Sequence, residues 1–119
     1  MKRLIAFDID NVLEVSAEPG PVTLGMVRRA RELGFIIGSC SDIPVSQQQA
    51  MWERHSIPVD FTVLKHRLDE LKPQFQADEC YLVSPRDTGD YSRIYGFVFL
   101  PVFDIGNQPW MVDENGGTL

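Results

Sequence analysis

Short runs of apolar residues alternate with amphipathic segments along most of the chain. Residues 4–7 are continuously apolar and are followed by acids, which is typical of a strand buried on both faces. Similar runs at residues 35–38, 61–64, 80–83 and 97–100 predict four more short strands. Because helical patterns lie between these runs, we predict a parallel sheet with helices on both of its faces.

Helical patterns occupy the first two connections. Residues 21–33 carry apolar positions at helical spacing, begin with proline and are followed by glycine, which predicts a helix with a defined start and stop. Asp42 or Ser41 can cap a second helix that runs to about His55, with Pro44 in its first turn.

A third helical face is marked by Leu68, Leu71 and Phe75, and we expect Pro73 to end or kink that helix. The fold class that follows is α/β. We predict a three-layer α/β/α sandwich around a Rossmann-like parallel sheet of about five strands.

Length and composition fit one folded domain. The chain has 119 residues, of which 44% are hydrophobic and 24% charged, and these values argue against a disordered or fibrous protein. We expect residues 1–103 to form one core domain. Residues 104–119 show little periodicity and predict a partly flexible tail.

Charge and cysteine content limit the classes of binding partner and the cellular location that we expect. Seventeen acids against 11 bases give a net charge of −6, which disfavours nucleic acid and anionic membranes as partners. A bound divalent cation would still allow a small anionic substrate. Cys40 and Cys80 are too few for a disulfide framework and predict reduced thiols. No apolar stretch approaches a signal-peptide core or a membrane span, so we expect a cytoplasmic protein.

The first predicted strand delivers two carboxylates, Asp8 and Asp10, to the edge of the sheet where ligands bind. Strand alternation sends both to one side, while Ile9 points back to the core. Two carboxylates so close repel each other unless a cation or a shared proton lies between them. We therefore expect a Mg²⁺ site in which one carboxylate can attack phosphorus. The alternative is that one acid caps the loop and the other is solvated.

Two serines follow the second predicted strand. We expect this strand to end at Ser39, with Ser41 two residues later. A hydroxyl and backbone N–H groups at a helix start suit a phosphate oxygen, although serine before a helix is more often only a cap. The pattern becomes more specific when it is combined with Asp8 and Asp10.

These residues resemble the haloacid dehalogenase (HAD) superfamily. Residues 7–13, Phe-Asp-Ile-Asp-Asn-Val-Leu, look like its first motif, an apolar strand followed by Asp-x-Asp-x-(Thr or Val). Residues 34–39 look like its second motif, a strand ending in Thr or Ser, and residues 55–65 resemble the stretch before the third-motif lysine. The resemblance covers residues 4–100 and implies a HAD-like core. The short connection after Leu13 implies that this core has no cap domain.

The resemblance implies a role for each matched residue. Asp8 would be the nucleophile that forms an aspartyl-phosphate, and Asp10 the general acid/base. Ser39 would hold phosphoryl oxygens, and a lysine would neutralise the charge on the phosphoryl group. Lys65 and Lys72 compete for that last role, and we favour Lys65 because it follows the third strand at the carboxyl edge of the sheet.

The fourth motif departs from the family pattern. The family usually ends its fourth strand in Gly-Asp or Asp-Asp, whereas Ser84-Pro85 stands there in this chain, and proline has no side-chain metal ligand. Asp87 or Asp90 would then complete the Mg²⁺ shell, and Asp90 better matches the later acid of the motif. Arg86 adds positive charge that either partly replaces the metal or only solvates the loop.

The resemblance implies a Mg²⁺-dependent phosphatase acting on a small phosphorylated substrate or a phosphorylated macromolecular end. A partner protein or a second copy of the chain would supply a lid for the open site. Pro85 motivates an alternative, a HAD-like domain that has lost its chemistry and serves as a binding or assembly module. A phosphoacceptor receiver domain has similar length and topology, but it needs an aspartate after the third strand, where this chain has Leu64 and Lys65.

Overall fold

The computed structural model describes residues 1–85 and 96–102. Strands and helices follow one another as β1 (Arg3–Phe7), α1 (Leu24–Glu32), β2 (Ile36–Ser41), α2 (Val45–Arg54), β3 (Phe61–Leu64), a 3₁₀ helix (Lys65–Glu70), α3 (Leu71–Phe75), β4 (Glu79–Ser84) and β5 (Phe97–Pro101). The strands form one sheet in the order β3-β2-β1-β4-β5, and neighbouring strands are parallel. The predicted α/β class and five-stranded parallel sheet are confirmed.

The central strand β1 is covered on both faces. Its side chains alternate, so Ile5 and Phe7 enter an apolar cluster with α1 and α2, whereas Leu4 and Ala6 enter a second cluster with the 3₁₀ helix and α3. All four side chains are 0% exposed. This two-sided burial explains the continuous apolar run in the sequence and gives the three layers of the sandwich.

Helix α1 begins later than the sequence pattern predicts. Thr23 caps it, because its Oγ1 accepts a hydrogen bond from the backbone N–H of Met26 at 3.1 Å. Pro21 therefore lies before the helix rather than at its start, and that part of the prediction is wrong. The predicted stop is confirmed, since Gly34 follows the helix with a φ of 92°.

Strand β2 runs two residues further than predicted. The expectation that it ends at Ser39 is wrong, because Cys40 and Ser41 still pair with β3. The start of α2 differs as well, since Pro44 is its N-cap and provides no side-chain hydrogen bond. Ser41 does not cap the helix; its Oγ accepts a hydrogen bond from the backbone N–H of Ile43, at 3.1 Å, in the preceding turn.

The bend in the third helical segment lies at Arg67, whose φ of −111° and ψ of 15° leave the helical region. The prediction that Pro73 ends or kinks the helix is wrong, because α3 continues through it to Phe75. Pro73 lies in the first turn of α3, where its missing N–H would have no helical partner. Leu68 and Leu71 are buried as their spacing predicts. Within the described ranges, no helix is both long and apolar enough to cross a membrane.

Candidate functional site

Polar residues from four strand ends surround one pocket at the carboxyl edge of the sheet. Asp8 directly follows β1, Ser41 ends β2, Lys65 directly follows β3 and Ser84 ends β4. They line a cavity of about 390 Å³. The other lining residues are Asp10, Asn11, Asp42, Ile43 and Pro85. Because open α/β sheets bind ligands at this edge, the pocket is the candidate functional site.

Asp8 and Lys65 form an ion pair at the base of this pocket, with 2.9 Å between Lys65 Nζ and Asp8 Oδ2. Asp8 is only 5% exposed. Its other carboxylate oxygen accepts a hydrogen bond from the backbone N–H of Ile9 at 2.8 Å. The backbone N–H of Asp8 itself donates to the carbonyl of Val83 in β4, at 2.9 Å. The carboxylate is therefore held by Lys65 and by the N–H of Ile9, while the backbone of Asp8 is fixed to β4.

The pair is electrostatically coupled. Burial raises the pKa of the Asp8 carboxyl above its ordinary value, and the hydrogen bond and charge of Lys65 offset this only in part. For Lys65, burial lowers the pKa, but the hydrogen bond and charge of Asp8 outweigh it and leave the pKa raised. Lys65 therefore stays cationic at neutral pH. The nearby charge of Asp42 adds to the rise in the pKa of Asp8.

Asp10 is half-buried and lies on the wall of the same pocket as Asp8, as the strand alternation predicts. The chain turns immediately after it, at Asn11, whose φ of 64° is left-handed. Asn11 is tied to the far side of the loop, because its backbone N–H donates to the carbonyl of Glu18 at 2.7 Å. This turn holds Asp10 beside the pocket.

The two candidate lysines lie at different places. Lys65 reaches Asp8, whereas Lys72 Nζ lies near Gly96, which precedes β5 at the amino edge of the sheet. The positive charge of Lys72 lowers the pKa of Cys80, although burial raises that pKa more. The position of Lys65 after a strand was the sequence signal that pointed to the pocket.

Ser39 does not reach the pocket. It is 0% exposed, and its hydroxyl donates to Gln48 Oε1 at 2.7 Å and accepts from Trp52 Nε1 at 3.0 Å. These three residues form what we call the closed cluster. Ser41 lines the pocket instead of Ser39, because β2 continues to Ser41 and carries it to the edge of the sheet.

Gln48 is a structural residue that sequence reasoning missed. Its side chain is fully buried and its amide donates to the carbonyls of Ile43, at 2.8 Å, and Val63, at 3.0 Å. It thereby joins the loop after β2 to β3. Its contact on β3, Val63, lies two residues before Lys65. The available signal was helical spacing, since Gln48 lies four residues before Trp52 and shares its buried face.

Only part of the expected set of metal ligands lies within the described residues. The described residues bring Asp8 and Asp10 to one pocket, but they contain no group of three acids, histidines or cysteines positioned to hold a metal ion. The proposed ligands Asp87 and Asp90 lie outside the described residues, as do Arg86 and the expected tail.

Cys40 is buried next to the pocket without lining it. Burial, and then the charge of Asp8, raise the pKa of its thiol, so the thiol stays protonated. A thiolate nucleophile therefore finds no support at this position.

Comparisons with protein-family models, curated proteins and solved structures found no match to this chain. The fold and pocket define an α/β protein with a Rossmann-like parallel sheet and a charged cleft at its carboxyl edge. The functional argument therefore depends on the residues of this cleft.

Proposed function

We propose that the protein is a Mg²⁺-dependent phosphatase of HAD type that hydrolyses a phosphomonoester through an aspartyl-phosphate on Asp8. The observation that carries the proposal is the ion pair between buried Asp8 and half-buried Lys65, with 2.9 Å between the charged atoms, in a pocket that Asp10 also lines. A buried carboxylate beside a cation and a second acid is a suitable nucleophile site for phosphoryl transfer.

The proposed reaction has two displacements at phosphorus. An oxygen of the Asp8 carboxylate attacks, the bond from phosphorus to the leaving oxygen breaks, and Asp10 donates its proton to that oxygen. Asp10 then takes a proton from water, the water oxygen attacks phosphorus, and the bond to Asp8 breaks to release inorganic phosphate. Lys65 stabilises the negative charge on the phosphoryl oxygens and on Asp8.

Ser41 takes over the role that the sequence motif suggested for Ser39. It lines the pocket and its Oγ accepts a hydrogen bond from the N–H of Ile43; within residues 1–85 and 96–102 its own O–H has no acceptor, so it would donate to a phosphoryl oxygen. The hydroxyl of Ser39 already donates to Gln48 in the core.

Mg²⁺ fits the donors that are described, because Asp8 offers a carboxylate oxygen and Asp10 a carbonyl oxygen, and this hard cation prefers oxygen ligands. Bound there, Mg²⁺ would neutralise charge on the phosphoryl group and on Asp8. Asp90 and Asp87 stay proposed as further ligands. We also propose a cytoplasmic location, which the free, buried thiols of Cys40 and Cys80 support.

The proposal is tested by measuring hydrolysis of 4-nitrophenyl phosphate with Mg²⁺. We expect turnover by the wild-type protein and its loss, by about 10³-fold or more, in Asp8→Asn. Asp69→Asn is the matched control, because this exposed acid on the 3₁₀ helix lies outside the pocket. Absence of turnover with Mg²⁺, Mn²⁺ and Co²⁺, together with no metal-induced rise in Tm, would contradict the proposal.

A second candidate function is a binding or assembly module that retains the pocket without turnover. Pro85 favours it, since this residue lines the pocket at the place where the family motif would supply a metal ligand. Phosphate binding that protects the fold against heat, combined with no hydrolysis under any of these metals, is the result that selects this function.

A further inference from the structure

A second cavity adjoins the candidate active site. It measures about 330 Å³ and lies between the loop after β1 and helix α2. Asp10 and Ile43 line both cavities, so the two lie side by side and share this boundary. This volume matches a metabolite-sized group and is small for a folded macromolecule.

The loop wall of the second cavity is held in place by the chain itself. The N–H of Val22 donates to the carbonyl of Val12 at 2.8 Å, and the hydroxyl of Ser16 donates to the carbonyl of Leu13 at 2.9 Å. A Cβ at Gly20 would collide with the backbone of Asn11, so the two ends of the loop approach as closely as glycine allows. The cavity therefore exists before a ligand arrives.

The place of Asp10 decides which part of a substrate would enter this cavity, and this step rests on the proposed function. A general acid has to lie within hydrogen-bond reach of the leaving oxygen. Asp8 and Lys65 line only the first cavity, whereas Asp10 lies on the wall that both share. With phosphorus at Asp8, a leaving group within reach of Asp10 would therefore extend toward the second cavity.

The helix wall of the second cavity carries mixed chemistry. Gln47, Met51 and Arg54 recur at helical spacing along α2 and line the cavity together. Val15, from the opposite loop, adds apolar surface. In the described part of the chain Arg54 has no acidic partner, so its guanidinium is available for an anion.

We propose that the second cavity binds the leaving group of a small phosphomonoester, with a compact apolar body against Val15 and Met51 and a second anionic group on Arg54. The substrate class is thus a phosphorylated small molecule that carries a carboxylate or a second phosphate. A carboxylate and a phosphate both offer a pair of oxygens that the guanidinium group can bind.

The proposal is tested by binding, so that the result does not depend on turnover. Calorimetry with Mg²⁺ would compare benzylphosphonate with 4-carboxybenzylphosphonate. We expect the carboxylated ligand to bind about fivefold more tightly to the wild-type protein, as for a partly exposed ion pair. In Arg54→Gln the two affinities become equal while that of benzylphosphonate is unchanged. Arg31→Gln, which changes an exposed arginine outside the cavity, keeps the wild-type ratio.

A second variant tests the cavity itself. Ala50 is exposed on α2 and lines the cavity, so Ala50→Phe fills it without disturbing the core. We expect weaker binding of both phosphonates, by about fivefold or more, and unchanged binding of inorganic phosphate.

Equal affinities of the two phosphonates in the wild-type protein, or a ratio that survives Arg54→Gln, would overturn the inference. The same holds if Ala50→Phe leaves both affinities unchanged. Failure of the proposed function is a separate result, namely no hydrolysis of 4-nitrophenyl phosphate by a protein that still distinguishes the two phosphonates.

Discussion

Two groups of polar side chains lie toward the carboxyl edge of the sheet, and they differ in what they face. In the closed cluster, Ser39, Gln48 and Trp52 bond to one another and to backbone carbonyls inside the protein. The Asp8–Lys65 pair is charged and faces a pocket. A cluster whose donors are satisfied internally stabilises a fold, whereas charges left facing a cleft are available to a ligand.

The comparison also separates two costs of burial. Removing a member of the closed cluster leaves donors or acceptors without partners in the core, which lowers stability. Removing Lys65 leaves a buried carboxylate without its cation, but Asp8 borders a pocket that water or a metal can enter. We therefore expect mutations in the cluster to affect mainly the free energy of unfolding and mutations in the pair to affect mainly catalysis.

The largest expected effect is on catalysis at the pair. Lys65→Met should lower kcat for 4-nitrophenyl phosphate by about 10²- to 10³-fold, because it removes the cation that stabilises phosphoryl charge. Lys72→Met is the matched control and should leave kcat unchanged, since Lys72 lies near Gly96 at the opposite edge. Equal losses in the two variants would contradict the assignment of Lys65 to the site.

The next effect is on stability at the closed cluster. Gln48→Leu removes three hydrogen bonds and leaves the carbonyls of Ile43 and Val63 without this partner. We expect the free energy of unfolding, measured in urea, to fall by about 2–4 kcal/mol. Gln49→Leu provides the control, because the side chain of Gln49 is exposed. This variant should change stability by less than about 0.5 kcal/mol. Similar changes in both variants would refute the structural role of Gln48.

The closed cluster also explains where sequence reasoning succeeded and where it stopped. The sheet, Asp8 and Lys65 were predictable, because apolar runs mark buried strands and the residues after them fall at one edge. Ser39 and Ser41 share one face by strand alternation, and only the end of β2 distinguishes them. That end depends on pairing with β3, a contact between residues distant in sequence.

Gln48 shows a second limit of sequence reasoning. A glutamine within a run of three on a helix indicates exposure, and only packing against β2 and β3 buries it. The roles of Asp87 and Asp90 stay predictions for a simpler reason, since both lie outside the described residues.

A smaller effect distinguishes the two serines. Ser41→Ala should lower kcat/KM by about tenfold with little change in stability, because its hydroxyl faces the pocket. Ser39→Ala should do the opposite, lowering the free energy of unfolding by about 1–3 kcal/mol while kcat/KM stays within about twofold. Chemical denaturation and steady-state kinetics on both variants provide the measurements. A tenfold loss of kcat/KM in Ser39→Ala alone would return the phosphate-binding role to Ser39.

The smallest expected effect is the loss of stability at a polar contact near the surface, which can be compared with the loss expected in the closed cluster. Tyr81 is half-buried on β4, and its hydroxyl donates to Glu79 Oε2 at 2.6 Å. This hydrogen bond, then burial, raise the pKa of Tyr81 above its ordinary value. We expect Tyr81→Phe to cost at most about 1 kcal/mol at pH 7, because water competes for this half-buried contact.

The pH dependence of that difference has a definite sign. The folded protein holds the Tyr81 proton more tightly than the unfolded chain, so the stabilisation is complete below the ordinary pKa and is lost as the pH rises through the raised one. Urea unfolding of both proteins at pH 7 and near pH 11 should therefore show the gap between wild-type and Tyr81→Phe shrinking at the higher pH. A constant gap would mean that the phenol proton contributes nothing to folding. The Tyr81–Glu79 contact could then not serve as the surface contact with which the loss of about 2–4 kcal/mol expected for Gln48→Leu is compared.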